Sequence, residues 1–204
     1  MDEALRTLRP MRIGQDTLDR TIIHSYSDAA VDDVVGLSRK LSQGIREGLE
    51  EHNIHIGGIL LLPNEAPMAF TCKLTKLPKF VTRIHIGVLE LVAVKVAQEI
   101  FSTYLHNKLV IAHVDNLGDV FGLAANSIRC DISQRISLAF HKYNYENDFC
   151  FYITWICSSR NVADVLTREK RSKILREAFP DARVRVLGED FVCSQGSYWG
   201  YNPN

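Results

Sequence analysis

Four carboxylates, Asp28, Glu90, Asp115 and Asp164, stand where side chains can converge on one edge of a sheet. Asp28 closes a run of β-branched and aromatic residues (TIIHSYS, 21–27), and Asp115 follows the apolar run 109–114. Asp164 falls in the first turn of a helical pattern, and Glu90 lies early on the helix preceding Asp115. Strand ends of α/β sheets are where ligands usually bind. Carboxylates gathered there repel one another unless a cation compensates them, and hard oxygen ligands suit Mg2+ or Mn2+. Two such ions side by side are the usual machinery of in-line phosphodiester cleavage. Taken singly, each acid also reads as a solvated surface group, and Asp164 as a complement to the helix dipole.

The elements that must position these acids follow from periodicity. Residues 21–27 predict a strand. Residues 31–52 repeat Val31, Val34, Val35, Leu41, Ile45 and Leu49 at helical spacing, with charged residues between them. Strands 54–62 and 68–74, joined by Pro63-Asn64-Glu65, predict a hairpin. A helix is expected over about 87–106, a buried strand at 109–114, helices to about 125 and over 132–143, and a strand at 149–156. A last helix over 162–178 would take Asn161 as N-cap, with Pro180 barring continuation. The tail from 181 has no assignable pattern. This order predicts a mixed α/β sheet with helices on its faces. The domain plan is an N-terminal arm (1–20), one domain (21–180) with a helical insertion (31–54), and a C-terminal extension (181–204).

At 204 residues and 46% apolar, the chain can bury one substantial core. Its 24 Lys and Arg balance 24 Asp and Glu, which argues mildly against tight, non-specific binding to phosphates. Five cysteines contain no CxxC pair, so a structural zinc site is not expected, and reduced thiols suit an intracellular compartment, cytoplasmic or nuclear. No apolar run reaches membrane-spanning length, so no membrane partner is expected.

Local contexts around the four acids sharpen the reading. The runs Tyr26-Ser27-Asp28-Ala29-Ala30, Gly57-Gly58-Ile59, Val88-Leu89-Glu90-Leu91-Val92-Ala93 and Val114-Asp115-Asn116 occur in that order. They are followed by Trp155-Ile156-Cys157-Ser158-Ser159-Arg160-Asn161-Val162-Ala163-Asp164-Val165-Leu166-Thr167-Arg168. Together they resemble the ribonuclease H domains of retroelements, most closely those of the BEL/Pao and DIRS groups, over roughly residues 21–170. The Asn-x-Ala-Asp closing motif is the most specific part. The resemblance implies a ribonuclease H-like, five-stranded mixed sheet in the order 3-2-1-4-5, flanked by helices, with Asp28 on the central strand. It also implies two Mg2+ ions, for which Mn2+ can substitute. Asp28 would bridge both, Glu90 and Asp115 would complete the leaving-group ion, and Asp164 the ion that activates water. The activity implied is endonucleolytic hydrolysis of the RNA strand of an RNA–DNA hybrid.

One feature departs from that family: a tight hairpin normally joins its first two strands, whereas here the 31–54 insertion intervenes. It would either pack on the sheet or dock a protein partner. Basic residues gather at Lys73, Lys76, Lys79 and Arg83, and again from Arg160 to Arg185, including Arg168. Such clusters can track a phosphate backbone or simply form a solvated face. Asn116 would reach a 2′-hydroxyl or a base edge. His24, His85 and His113 read as structural, and Trp155 as core packing. The competing reading is a domesticated, catalytically silent module that binds a protein or nucleic acid.

Overall fold

The first strand, β1 (Thr21–Val31), carries the alternation that organises everything else. Its odd residues, Ile23 and Ala29 among them, enter the main core, while Tyr26 packs with a second, smaller cluster on the opposite face. The computed structural model describes residues 20–31, 54–74, 78, 85–168, 172–188 and 191–200. Antiparallel to β1 runs β2 (Ile54–Leu61), and antiparallel to that runs β3 (Met68–Leu74). Val31 pairs with Ile54, so the sheet holds both ends of the expected insertion. Residues 32–53 themselves lie outside the described residues.

After β3 come helix α1 (Ile86–Ile100) and a short helix α2 (Ser102–Leu105). The chain re-enters the sheet as β4 (Lys108–Val114), parallel to β1. Helices α3 (Leu117–Ala125) and α4 (Asp131–Glu146) lead to β5 (Cys150–Trp155), parallel to β4. Helices α5 (Asp164–Thr167) and α6 (Ser172–Ala178) follow, then β6 (Arg183–Leu187), α7 (Phe191–Ser194) and a closing turn over Gly196–Trp199. The sheet has six strands in the order β5-β4-β1-β2-β3-β6. The expected 3-2-1-4-5 order is therefore present. It is extended by β6, which pairs parallel to β3, so part of the C-terminal extension belongs to the sheet.

Helix α1 is buried almost all round because it lies between the sheet and α4. Its polar residues find partners there. Lys95, 2% exposed, donates to Gln98 Oε1 (2.9 Å) and Glu99 Oε1 (2.5 Å) and sits 4.1 Å above the Tyr143 ring. Gln98 donates to the Phe140 carbonyl (2.9 Å) and to Asn144 Oδ1 (2.6 Å), tying α1 to α4.

The opposite face is covered over β1, β2 and β3 by α5, whose Leu166 packs with Ala163, Ile59 and Ala69. The expected single helix over 162–178 is interrupted, with two described pieces, α5 and α6. Regular helix begins only at Asp164, but Asn161 Oδ1 takes the Ala163 N–H (3.2 Å) as a cap would, and its amide donates to the Ser27 carbonyl (2.9 Å), which fastens the segment to β1. Thr71 adds a hydroxyl bond to the Leu166 carbonyl (2.7 Å). Close approach requires Gly57, whose β-carbon, if present, would lie 2.7 Å from Leu166 Cβ. Gly57→Ala is expected to lift α5 from the sheet at a cost of about 1–3 kcal/mol. Urea denaturation checks this, and an unchanged midpoint would refute the packing account.

Three stacked rings lie farther along that face. Tyr26 and His113 stack at 4.3 Å, His24 and His113 at 5.3 Å, and His24 Nδ1 meets His113 Nε2 at 3.0 Å. Burial, then the charge of His24, lowers the His113 pKa from its ordinary 6.5. The unfolded chain therefore binds this proton more readily, and stability is lost as pH falls below about 6.5. His113→Phe, which keeps the stacking, is expected to flatten the melting temperature between pH 7.5 and 5.5. An equally steep acid loss in the variant would place the effect elsewhere.

Candidate metal centre

The parallel register of β1 and β4 does the first part of the assembly. Tyr26 pairs with His113, and two residues further along each strand stand Asp28 and Asp115. Asp28 does not end its strand as the sequence pattern suggests: β1 continues to Val31 because Ala29 and Ala30 still pair with Ile56 and His55. Asp28 also pairs with Gly57, whose missing side chain leaves its face open to α5. There the Thr167 hydroxyl donates to Asp28 Oδ2.

Asp115 leaves β4 at its end, and its carbonyl accepts the Trp155 indole N–H at 3.1 Å. Trp155 is thus not core packing. It is half exposed and pins the backbone of an acid. Asn116 caps α3, its Oδ1 accepting from the amides of Gly118 (2.9 Å) and Asp119 (3.3 Å). Its other amide atom, Nδ2, is turned to Gly87 in the first turn of α1 and bonds Glu90. Asn116 therefore orders the acids, and its carbonyl is already committed.

Asp164 opens α5, and its Oδ1 accepts from Arg168 Nε at 2.6 Å. Arg168, expected to meet substrate, is held at the rim by this ion pair. Lys73 is half buried on β3, and Lys76, Lys79 and Arg83 lie outside the described residues.

Electrostatics joins these groups into one site. Burial raises the Asp28 pKa and Asp115 adds to the shift, while Thr167 and Arg168 oppose it. Glu90 is pushed up to about 7, first by burial, then by Asp115 and Asp28, against the pull of its bond from Asn116. A fifth acid, absent from the sequence reading, joins them. Asp119, 6% exposed in the first turn of α3, is raised to about 8 by burial and by Glu90 and Asp115. The Glu90 and Asp119 carboxyls face each other closely enough to share a hydrogen bond when one is protonated. The available signal was its four-residue spacing from Asp115 at a helix start. Thr167 lay within the quoted closing motif but carries no acid to draw attention.

Three carboxylate oxygens, Glu90 Oε2, Asp115 Oδ1 and Asp119 Oδ2, are buried without a hydrogen-bond partner. Orphaned buried polar atoms are expensive, and hard anionic oxygens are what a divalent cation takes. The donor set fits such an ion. As the side chains stand, no group of three or more His, Cys, Asp or Glu among the described residues is drawn together closely enough to hold a metal. Like charges without a cation between them spread apart.

Neither a family model nor a curated protein matches the sequence. Solved structures do match the fold. RNase H1 of the halophilic archaeon Halobacterium salinarum NRC-1 is 16% identical, with TM-score 0.50, over 74% of this chain and 98% of that one. The N-terminal RNase H domain of rv2228c from Mycobacterium tuberculosis, solved as a maltose-binding-protein fusion, is 10% identical, with TM-score 0.53, over 78% and 99%. LC11-RNase H1 in complex with an RNA/DNA hybrid is 14% identical, with TM-score 0.53, over 75% and 99%. At these identities the likeness establishes a ribonuclease H-like fold. No helix among the described residues is long and apolar enough to cross a membrane.

Proposed function

We propose that this protein is a divalent-metal-dependent endoribonuclease that cuts the RNA strand of RNA–DNA hybrids. The observation that carries the reading is the set of buried, unpartnered carboxylate oxygens beside Asp28 on a ribonuclease H-like sheet. Support also comes from the closing motif, which resembles that of retroelement enzymes, and from a fold neighbour crystallised with an RNA/DNA hybrid.

In this reading Asp28, Glu90 and Asp115 would hold one Mg2+, and Asp28 with Asp164 would hold the second. Bound there, the ions supply an activated water and neutralise charge on the phosphate. The chain's own residues prepare the acids. Thr167 and the Ala29 backbone N–H fix the Asp28 carboxylate, whose charge Asp115 feels. Trp155 fixes the backbone of Asp115, and Asn116 orients Glu90. Arg168 holds Asp164 in an ion pair and, half exposed, would also meet a substrate phosphate. The basic residues Lys73, Lys76, Lys79 and Arg83 would track the phosphate backbone.

The test is cleavage of a labelled hybrid in Mg2+ and in Mn2+, beside single-stranded RNA, double-stranded RNA and an Asp28→Asn/Asp115→Asn control. Hybrid-specific cutting that the control lacks supports the reading. If the folded protein cuts nothing in either metal, the enzyme reading fails. A silent binding module is the second reading, favoured by the exposed Ile22 and Tyr152 on the sheet. Hybrid or protein binding without cleavage would select it.

A further inference from the structure

A carboxylate in the first turn of a helix is ordinarily a surface group that complements the dipole or closes a capping box. Asp119 does neither in the usual way. It is 6% exposed, and its Oδ2 has no hydrogen-bond partner. The cap of α3 is already made by Asn116, which takes the amides of both Gly118 and Asp119. A favourable dipole is worth less than about tenfold in an equilibrium constant at a surface. Placing a buried acid beside Glu90 and Asp115 costs considerably more. The dipole does not account for this placement.

The facing helix leaves room for the Asn116 amide, with the Asp119 oxygens in contact just beyond it. A β-carbon on Gly87 would lie 2.9 Å from Asn116 Nδ2 and 3.4 and 3.5 Å from the two Asp119 oxygens. Glycine there lets the first turn of α1 close onto the first turn of α3. Glu90, three residues after Gly87, then shares a helix face with it and meets Asp119. The result is an acid aimed at two other acids, with orphaned oxygens on all three.

We infer that Asp119 is a fifth carboxylate of the metal centre, contributing an oxygen to the cation held by Glu90 and Asp115. This rests on the two-metal reading above and adds to it a more anionic, more completely filled coordination sphere on the leaving-group side. Four acids (Asp28, Glu90, Asp115 and Asp119) then surround that ion, while Asp164 remains with Arg168.

The test is Mn2+ and Mg2+ binding to the full chain by titration calorimetry, with free Mn2+ followed by electron paramagnetic resonance. Melting temperature in EDTA is measured in parallel. Asp119→Asn is isosteric and is expected to weaken the tighter site by about 10–100-fold. Its melting temperature in EDTA should be equal to or higher than that of the wild type. Gly87→Ala retains every acid but crowds the Asn116 amide that bonds Glu90 beside Asp119, and should weaken the same site. Wild-type affinity in both variants overturns the inference, as does a lower melting temperature in EDTA with unchanged metal uptake, which would make Asp119 structural. Failure of the wild type itself to bind either metal overturns the two-metal reading, so the two failures are distinguishable.

Discussion

Asp28→Asn is expected to lower hybrid cleavage by on the order of 10³-fold or more, about 4 kcal/mol of transition-state stabilisation. The same variant should make the metal-free protein more stable. Asp28 is the acid that the electrostatics connects to both halves of the site, to Asp115 and Glu90 on one side and to Thr167 and Arg168 on the other. An asparagine oxygen can still accept the Thr167 hydroxyl, so the fold keeps that bond. What disappears is a buried negative charge next to others. A gain of about 1 kcal/mol corresponds to roughly 2–4 °C in melting temperature for a chain of this size. Loss of activity together with a gain in apo stability separates a metal ligand from a structural acid. A variant that melts earlier in EDTA would make Asp28 structural, and one that still cuts at the wild-type rate would remove it from the reaction.

The second large effect is a reversal of pH dependence by metal. In the unfolded chain Glu90 and Asp119 titrate near 4.5 and 3.8, whereas in the folded, metal-free protein they are raised to about 7 and about 8. Between those limits the native state holds more protons than the unfolded state. Stability from these groups is therefore full below about pH 4 and is lost as pH rises to about 8. The loss is on the order of 3 kcal/mol if the pair retains one proton across that range. His113 acts in the opposite sense over part of the range, so the measurement compares wild type with Glu90→Gln in EDTA. The wild type should lose stability relative to the variant from pH 5 to 8. Mg2+ binds the ionised form, and at a hundredfold excess over its dissociation constant adds about 2.7 kcal/mol. The wild type should then be the more stable of the two at pH 8. Parallel pH curves in EDTA, or no metal effect at pH 8, would sink the account.

The sequence carried much of this site by itself. Strand periodicity located the sheet segments that bear Asp28 and Asp115, and the closing motif located Asp164, because these depend on neighbours in the chain. The strand order 3-2-1-4-5 followed from resemblance, and the structure has it. Where a feature depended on contacts between distant segments, local pattern misled. Asn161 has an N-cap's chemistry and its Oδ1 takes the Ala163 N–H, but its amide also reaches the Ser27 carbonyl, 134 residues away, which no local pattern shows. Trp155 has a core residue's size, yet its indole N–H finds the Asp115 carbonyl at the surface. The tail at 183–187 alternates Arg and Val without a readable partner, and only the open edge of β3 makes it a strand.

Asp119 shows the same division most sharply. By spacing it is an ordinary first-turn acid. It comes to lie buried beside Glu90 only because two helix ends meet, at a point where Gly87, 32 positions earlier, leaves space for the Asn116 amide. The sequence determined which residues can bear charge and which segments extend or coil, since those preferences are set by each residue and its neighbours. Tertiary structure decided which charges are buried together, because desolvation and repulsion depend on distances that only the closed fold creates.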